Sequence, residues 1–493
     1  MTGPGSVAAA LTPLAWLEKA YAQLGCDTQF NTYCFLFLFL PLTLAGYWLV
    51  PSRRWKLSWI TAMSFLFYSF WDIRFVLLLL VAAGADFLIA LRLAAIPEGE
   101  VTRRKRWLAA SVVFNLGLLA YFKYAVFALD NARSVLSLFG SEAVVPYANI
   151  VLPVGISFYT FQTMSYSIDV YRGQVGATRD FTKYLAFVTL FPQLVAGPIV
   201  RYSTLSEQLD KLPTRLSAAY GATGLFLVSL GLFKKAVVAD LLAIKVDGLW
   251  AAPGALDMVT AWTAATGFML QLYFDFSGYS DMAIGLGALL GLRFPINFRA
   301  PFQAPNPIDF WRRWHVSLNT FLRDYLFRPL GGRDVGPLRF RFNLFVVMVL
   351  SGFWHGASWT FILWGGYFAM LQLTYVRYQT WWDARHIATQ MILMQVLVVV
   401  SAVLFRAPDL TVAGQVYQAM FTPALAAGMA GLAAAAPLLL GVLALYAVTM
   451  VVKPACDRHY RLSPLEAGAA AVMLVASIII MRLEFAPFLY YQF

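Results

Sequence analysis

The sequence predicts an all-α integral membrane protein: a multi-span bundle of about 11 to 13 membrane helices, with interfacial or re-entrant helices beside them. Of its 493 residues, 60% are hydrophobic and only 13% are charged, whereas about a quarter of a soluble domain is charged. Apolar runs of roughly 17 to 25 residues, enough to cross about 30 Å of hydrocarbon, recur from Tyr33 almost to the C-terminus. The net charge of +12 does not indicate nucleic-acid binding, because Lys and Arg fall between these runs, where they orient membrane proteins.

The apolar runs follow one another with short connections. We expect spans near residues 33–50, 55–71, 74–93, 107–128, 150–170, 217–239, 258–275, 277–292, 342–354, 359–377, 388–405, 428–452 and 465–481. Residues 181–200 are apolar but interrupted, so this segment could span the membrane or re-enter it.

The basic loops predict the orientation of the bundle. The loops at 53–56 and 103–106 should be cytoplasmic, and the N-terminus therefore lies on the outer side. Near the other end, the basic residues of 453–461 predict a cytoplasmic loop, so the last span delivers the tail "FAPFLYYQF" to the outer side.

The two ends of the chain differ from the bundle. Residues 1–32 form an extension without the basic and apolar pattern of a cleaved signal peptide, and they could include an interfacial helix. Residues 33–485 form the membrane domain and 486–493 an aromatic tail. The three cysteines show no paired spacing, so we expect packing residues, with neither a metal site nor a disulfide.

Polar and irregular sequence concentrates at about 150–360, which we therefore expect to be the catalytic region. Pro, Gly and ionisable residues at membrane depth persist only where protein or a water-filled cavity satisfies the backbone. One such stretch is "YFDFSGYSDMAIG", in which Asp275, Ser277 and Asp281 are spaced to face a polar cavity, although packing explains them about equally well.

The stretch "WRRWHVSLNTFLRDYLFRPL" (311–330) predicts one amphipathic helix, with Asp309 as its N-cap. His315 falls within the apolar face of this helix. Asn319, Arg312 and Arg323 run along the edge of that face, as candidates to line a substrate cavity. A plain interfacial helix, whose arginines meet lipid phosphates and whose histidine makes a local hydrogen bond, remains an alternative.

A second histidine changes the balance between these alternatives. His355 lies in "VLSGFWHGASWTF", among apolar and small residues at membrane depth, where an ionisable group indicates a functional site. A neutral imidazole flanked by glycine is suited to general-base catalysis, such as removing a proton from a hydroxyl that attacks an acyl carbonyl. A structural histidine bonded to a backbone carbonyl is the competing explanation.

Together with "FPQLVAGPIVR", "QLYFDFSGYSDMAIG", "NFRAPFQAPNPIDFWRRWH", "GFWHGASWTFILWG" and the terminal "FLYYQF", these motifs resemble the membrane-bound O-acyltransferase family. Within it, they are similar to the bacterial branch that contains the membrane subunit of alginate O-acetyltransferase. The resemblance covers the chain from about residue 33 onwards. The extension before it departs from the family pattern.

The resemblance implies a central tunnel in which a cytoplasmic acyl donor meets an acceptor from the other side. It implies that His355 is the main catalytic histidine, that His315 is a second functional histidine, and that Tyr490 is an acyl relay. An aromatic interfacial anchor is the alternative role for this tyrosine. It further implies acetyl-CoA as donor, no bound cofactor or metal, a bacterial inner-membrane location, a periplasmic acetyltransferase partner and a secreted polysaccharide as final acceptor.

Two other functions stay open at this point. The same chemistry could transfer D-alanyl or acetyl groups to teichoic acid, cellulose or peptidoglycan. A transporter or channel would instead use the intramembrane ionisable residues, but the sequence has no internal repeat of the transporter kind. Those residues are Asp86, Lys123, Lys234, Lys235, Asp275 and Asp281.

Overall fold

The computed structural model describes residue 21 and residues 25–140, 150–423, 428–451, 462–483 and 488–489, and within these residues the regular structure is entirely helical. The longer helices are α1 (Phe35–Leu49), α2 (Arg53–Ser69), α3 (Arg74–Ala95), α4 (Val101–Leu138), α5 (Ile156–Tyr171), α6 (Ala218–Leu232), α7 (Met258–Leu289), α8 (Pro337–His355), α9 (Trp359–Arg377), α10 (Ile387–Arg406), α11 (Gly428–Val451) and α12 (Pro464–Leu483). The protein is an all-α integral membrane protein, as predicted.

Nearly every predicted span corresponds to one of these helices, and α9 has the predicted bounds. By length and composition alone, four helices of the described residues are apolar and long enough to cross a membrane: Arg74–Ala95, Val101–Leu138, Ile387–Arg406 and Pro464–Met481. Two shorter apolar helices, Phe35–Leu49 and Ala436–Val451, accompany them.

One boundary was wrong. The predicted spans 258–275 and 277–292 form a single helix, α7, of 32 residues. The glycine and serines of "FSGYS" do not break it, because Gly278 is a close-packing residue. A Cβ built on Gly278 would lie 2.7 Å from the carbonyl oxygen of Gly231 on α6, so the missing side chain lets the two backbones approach.

The interrupted segment 181–200 does not span. It contains two short helices, Phe181–Thr189 and Phe191–Leu194, and its residues are largely buried. At about 1.5 Å per residue, a helix of 9 residues is far shorter than the hydrocarbon layer.

The expectation of unpaired cysteines was also wrong. Cys26 and Cys34 form a disulfide just before α1, with their Cα atoms 5.1 Å apart. They lie eight positions apart in the sequence, and the turn between them brings the side chains together, which spacing alone did not reveal. Disulfides persist in oxidising compartments, in agreement with the outer-side position predicted for this end of the chain.

The contacts of the chain divide into two compact units. One comprises Met1–Gly117, Pro153–Gly224 and Leu286–Phe294, and the other comprises Leu118–Leu152, Leu225–Gly285 and Pro295–Phe493. Both histidines singled out from the sequence belong to the second unit, whose apolar core includes Phe276, Trp311, Trp364 and Phe405. The separation of the chain into an extension, a membrane domain and a tail stays a prediction.

Candidate active site

His315 lies at a break between two short helices. The predicted single helix over 311–330 was wrong, since Pro307–Arg313 and Val316–Leu322 are separate helices. Between them, His315 adopts φ 44° and ψ 53°, a left-handed conformation that is strained for a residue with a side chain. The predicted N-cap was wrong by three residues: Asn306 caps the first helix by accepting from the Asp309 backbone N–H, and proline follows it at the first helical position.

Asn297 fixes the imidazole of His315. Its Oδ1 accepts from the backbone N–H of Ser317 at 3.3 Å and from the Ser317 hydroxyl at 2.9 Å, and it lies 3.1 Å from His315 Nδ1. Because a backbone N–H can only donate, the atom facing it is the amide oxygen, and His315 Nδ1 therefore carries the proton. At its other end, Asn297 Nδ2 donates to Ser280 Oγ at 3.1 Å. His315 Nε2 is left as the basic nitrogen of the ring.

His355 is the last residue of α8, where helical carbonyls have no partner within the helix. Lys123, in a π-helical turn of α4, donates from Nζ to the carbonyl oxygens of Trp354 at 2.6 Å and His355 at 3.2 Å. The Tyr124 hydroxyl donates to the carbonyl oxygen of Phe353 at 3.3 Å. These hydrogen bonds satisfy the last carbonyls of α8 and so stabilise the helix end that carries His355.

Aromatic rings surround the His355 side chain. The ring centroids of Trp364 and Phe405 lie 5.3 and 5.4 Å from that of His355. Trp364 can come this close because α8 and α9 touch through glycines: a Cβ built on Gly352 would lie 2.9 Å from the backbone nitrogen of Gly365. Packed among these rings, His355 is only 2% exposed.

The two histidines come together although they lie forty positions apart in the sequence. Their ring centroids are 6.4 Å apart with an interplanar angle of 57°, and His315 is fully buried. On its other side His315 packs edge-to-face on Phe276 of α7, at 4.7 Å. Two imidazoles at this separation can act on the same small reacting group, one as base and the other as hydrogen-bonding partner.

A cavity of about 710 Å³ lies near the pair, although neither histidine is among its lining residues. The lining includes Met348 and Ser351, on the face of α8 that carries His355 one turn later, and Leu318 and Asn319, one turn after His315. Its volume falls in the range of about 300–1,000 Å³ that small-ligand sites occupy.

The mouth of this cavity is basic. Four exposed arginines line it, while Asp324 pairs with two of them at 2.8 and 3.0 Å. The four are Arg312, Arg323, Arg328 and Arg333. The predicted lining residues Asn319, Arg312 and Arg323 are thus brought to one cavity.

The predicted polar residues of α7 have other surroundings. The Asp275 carboxylate accepts from Lys235 Nζ at 2.7 Å, and the Asp281 carboxylate from Lys234 Nζ at 2.6 Å. Ser277 is buried and its hydroxyl has no partner among the described residues. None of the three belongs to the lining of the arginine-rimmed cavity. Tyr490 lies outside the described residues.

Sequence reasoning did not single out Asn297, and it considered Lys123 only as a transport residue. Neither stands out by composition, because each acts through a residue distant in the chain. The ionisable residues considered for transport have fixed partners. In the first unit, for example, the Asp86 carboxylate accepts from Ser111, Asn115 and Ser167.

Fold and site together describe a polytopic membrane protein with a buried two-histidine site. The family model of MBOAT, the membrane-bound O-acyltransferase family, matches residues 172–407. The chain is 41% identical over 407 residues to the probable alginate O-acetylase AlgI of Azotobacter vinelandii, covering 80% of this chain and 78% of that protein. It is 42% identical over 399 residues to the protein of the same name from Pseudomonas aeruginosa, covering 80% and 75%.

A further relative is the peptidoglycan O-acetyltransferase of Helicobacter pylori, 37% identical over 366 residues, with 68% of each chain covered. The chain therefore belongs to the membrane-bound O-acyltransferase family and is an O-acyltransferase.

Proposed function

We propose that this protein transfers an acetyl group from cytoplasmic acetyl-CoA, across the bacterial inner membrane, toward hydroxyl groups of an exported polysaccharide such as alginate. The observation that carries the proposal is the pair of buried histidines, whose ring centroids are 6.4 Å apart and which lie one helical turn from residues that line a cavity with a basic mouth.

The arginines at the mouth support a phosphate-bearing donor. Guanidinium groups bind phosphates through paired, charge-assisted hydrogen bonds, and acetyl-CoA carries several phosphates on a long flexible arm. The connection before α8 is rich in arginine, as cytoplasmic loops are. The phosphates stay at the mouth while the thioester reaches inward to the histidines.

The histidines supply the proton transfers. One imidazole removes the proton from an attacking hydroxyl, whose oxygen forms the new bond to the acetyl carbonyl carbon. The carbon–sulfur bond breaks and the sulfur leaves as a thiol after taking up a proton. His355, enclosed by aromatic rings at the end of α8, is the base in this proposal. His315, whose Nδ1–H is held by Asn297, accepts a hydrogen bond at Nε2 and so positions the attacking hydroxyl.

The attacking hydroxyl on the outer side is that of Tyr490, which passes the acetyl group on to a periplasmic acetyltransferase partner. The phenol needs such a base because it loses its proton only near pH 10 in water. The predicted outer-side position of the tail supports this role.

The names of the relatives support alginate as acceptor, because two of the most similar ones are described as alginate O-acetylases. The Helicobacter pylori relative is named for peptidoglycan, so that polymer is the competing acceptor. Acetyl content of each purified polymer, compared between wild-type and deletion strains, decides between them.

The catalytic assignment is tested with His355→Ala and His315→Ala at wild-type expression. We expect polymer O-acetylation to fall at least about 100-fold for His355→Ala, the lower end of the range for loss of an acid–base group. For His315→Ala, which removes a positioning group, we expect a fall of at least about 10-fold. His386→Ala is the matched control, since His386 is exposed and caps α10 through Ala388 N–H. Undiminished acetyl content in both active-site variants contradicts the assignment.

A further inference from the structure

The short segment Phe488–Leu489 is held in the protein by a buried ionic cluster. Lys235 Nζ lies 2.8 Å from Asp240 Oδ1 and 2.7 Å from Asp275 Oδ1, and all three side chains are at most 5% exposed. The other carboxylate oxygen of Asp275 accepts a hydrogen bond from the backbone N–H of Leu489 at 3.1 Å. The segment Phe488–Leu489 is thus bound through its backbone to a buried group of the second unit.

The side chain of Phe488, the residue before Leu489, is bound as well. Phe488 is 1% exposed, its ring lies edge-to-face on Tyr279 at 4.7 Å, and Lys235 Nζ lies 4.6 Å from its centroid. An ammonium group over an aromatic face is attracted by the electrons of the ring. Helix α12, which precedes the tail, packs against the π-helical turn that carries Lys235.

The hydrogen bonding of the cluster explains why it takes a donor from the tail. Two carboxyl groups share the single ammonium of Lys235, so the second oxygen of Asp275 needs another donor. Burying carboxylate oxygens there is costly unless each receives a hydrogen bond. The Leu489 N–H supplies one of these bonds.

Helix α7 connects this cluster to the histidine site. Asp275 and Tyr279 share one face of the helix and contact the tail. Phe276 and Ser280, on the adjacent face of the same turns, contact His315 and its anchor Asn297. The docking point and the second histidine are therefore held by one short length of rigid helix.

We propose that Asp275 and Lys235 form a docking site for the protein's own C-terminal tail, and that Asp275 is a positioning residue for acyl transfer through that tail. Docking at Leu489 fixes the chain immediately before Tyr490. The effect on transfer rests on the proposed function, whereas docking itself does not.

Asp275→Asn tests docking with little change in shape. The carboxylate gives one oxygen to Lys235 and the other to Leu489 N–H, but an amide has only one oxygen, so its NH₂ group faces one of these two donors. Asp240→Asn is the matched control, because it also removes a carboxylate from Lys235 but leaves the Leu489 hydrogen bond in place.

The first readout is hydrogen–deuterium exchange of the C-terminal peptide in full-length, detergent-purified protein. We expect exchange at least ten-fold faster in Asp275→Asn and unchanged in Asp240→Asn. Unchanged protection in Asp275→Asn overturns the docking site. This result does not depend on whether the protein acetylates anything.

The second readout is a double-mutant cycle on polymer acetylation with Leu489→Pro, which removes the backbone N–H, and with Leu489→Ala as the control that keeps it. The Leu489→Pro variant also tests the proposal if Asp275→Asn fails to fold, because its substitution lies in the tail. We expect a fall of about ten-fold for Asp275→Asn and for Leu489→Pro, and no further fall in the double variant, since both remove the same bond. Additive losses of about 100-fold, or full activity of Leu489→Pro, overturn the positioning role.

The two proposals fail in different ways. If wild-type protein supports no acetylation while the tail remains protected from exchange, the proposed function is wrong and docking stands. If acetylation is normal while the tail of Asp275→Asn exchanges freely, Asp275 docks the tail but does not position it for transfer.

Discussion

Replacing Asn297 with leucine tests whether a fixed tautomer of His315 matters for transfer. Leucine has about the same size as asparagine but offers no acceptor. The His315 Nδ1–H and the Ser317 backbone N–H, now 3.1 and 3.3 Å from Asn297 Oδ1, would lose their common partner. The Ser317 hydroxyl can rotate toward another acceptor. The main cost of the substitution therefore comes from the two N–H groups that lose their hydrogen-bond acceptor.

The magnitude follows from these two donors. A buried donor without an acceptor costs about 1–3 kcal/mol, and the ring avoids this cost by moving its proton to Nε2, the nitrogen that the site uses. Loss of the orienting partner of a metal-ligating histidine costs about 10- to 100-fold in affinity or activity, which corresponds to about 1.4–2.8 kcal/mol, and we take the same range for the partner of His315. We therefore expect turnover to fall about 10- to 100-fold with the apparent KM for the acyl donor unchanged.

The control is Asn343→Leu. Asn343 is 2% exposed and donates to the carbonyl oxygen of Leu330 at 2.9 Å, so its loss destabilises the same unit without touching a histidine. Acetylation is measured per molecule of enzyme in membranes, with donor concentration varied. Full turnover of Asn297→Leu, or an equal loss in Asn343→Leu, would refute the orienting role of Asn297.

Three further substitutions probe other parts of the site. Lys123→Met removes the donor to the last carbonyls of α8, and we expect a fall of about ten-fold in turnover with normal expression, measured by acetyl content per enzyme. Gly352→Val introduces a side chain where α9 already touches the backbone, and we expect the thermal midpoint of the purified protein to drop by several degrees with loss of activity. Arg333→Gln weakens the basic mouth, and we expect a several-fold rise in donor KM at constant turnover, shrinking at high salt; an unchanged KM would count against phosphate binding there.

The helices were predictable from the sequence because a helix that crosses the hydrocarbon core of the membrane needs an apolar run of a minimum length. Trp359–Arg377 begins and ends where the hydropathy pattern places it. The division at "FSGYS" failed for a local reason, since Gly278 resembles a helix breaker in sequence but serves as a contact point with α6. The disulfide between Cys26 and Cys34 was missed because pairing depends on the turn between them.

The site was only partly predictable. His355 stood out as an ionisable group among apolar and small residues, and His315 by its place on the apolar face of an arginine-rich amphipathic stretch. Their proximity, and the dependence of His315 on Asn297, arise from a helix break that the amphipathic pattern concealed. The amphipathic pattern continues without interruption through His315, because Trp314 and Leu318, on either side of the break, are both buried.

The break between the helices Pro307–Arg313 and Val316–Leu322 explains the orientation of the His315 side chain. Among the described residues, the non-glycine positions with positive φ are Ala300 and His315, and both lie in the segment that leads from α7 to the histidine. Such conformations cost about 1–3 kcal/mol each and persist only where the surroundings hold them. Here two backbone hydrogen bonds do so, from Val316 N–H to the Asn297 carbonyl and from Arg299 N–H to the Arg313 carbonyl, both at 2.9 Å. Because Asn297 contributes its backbone to one of these bonds and its side chain to the imidazole, the same residue maintains the strained turn and selects the ring nitrogen that carries the proton.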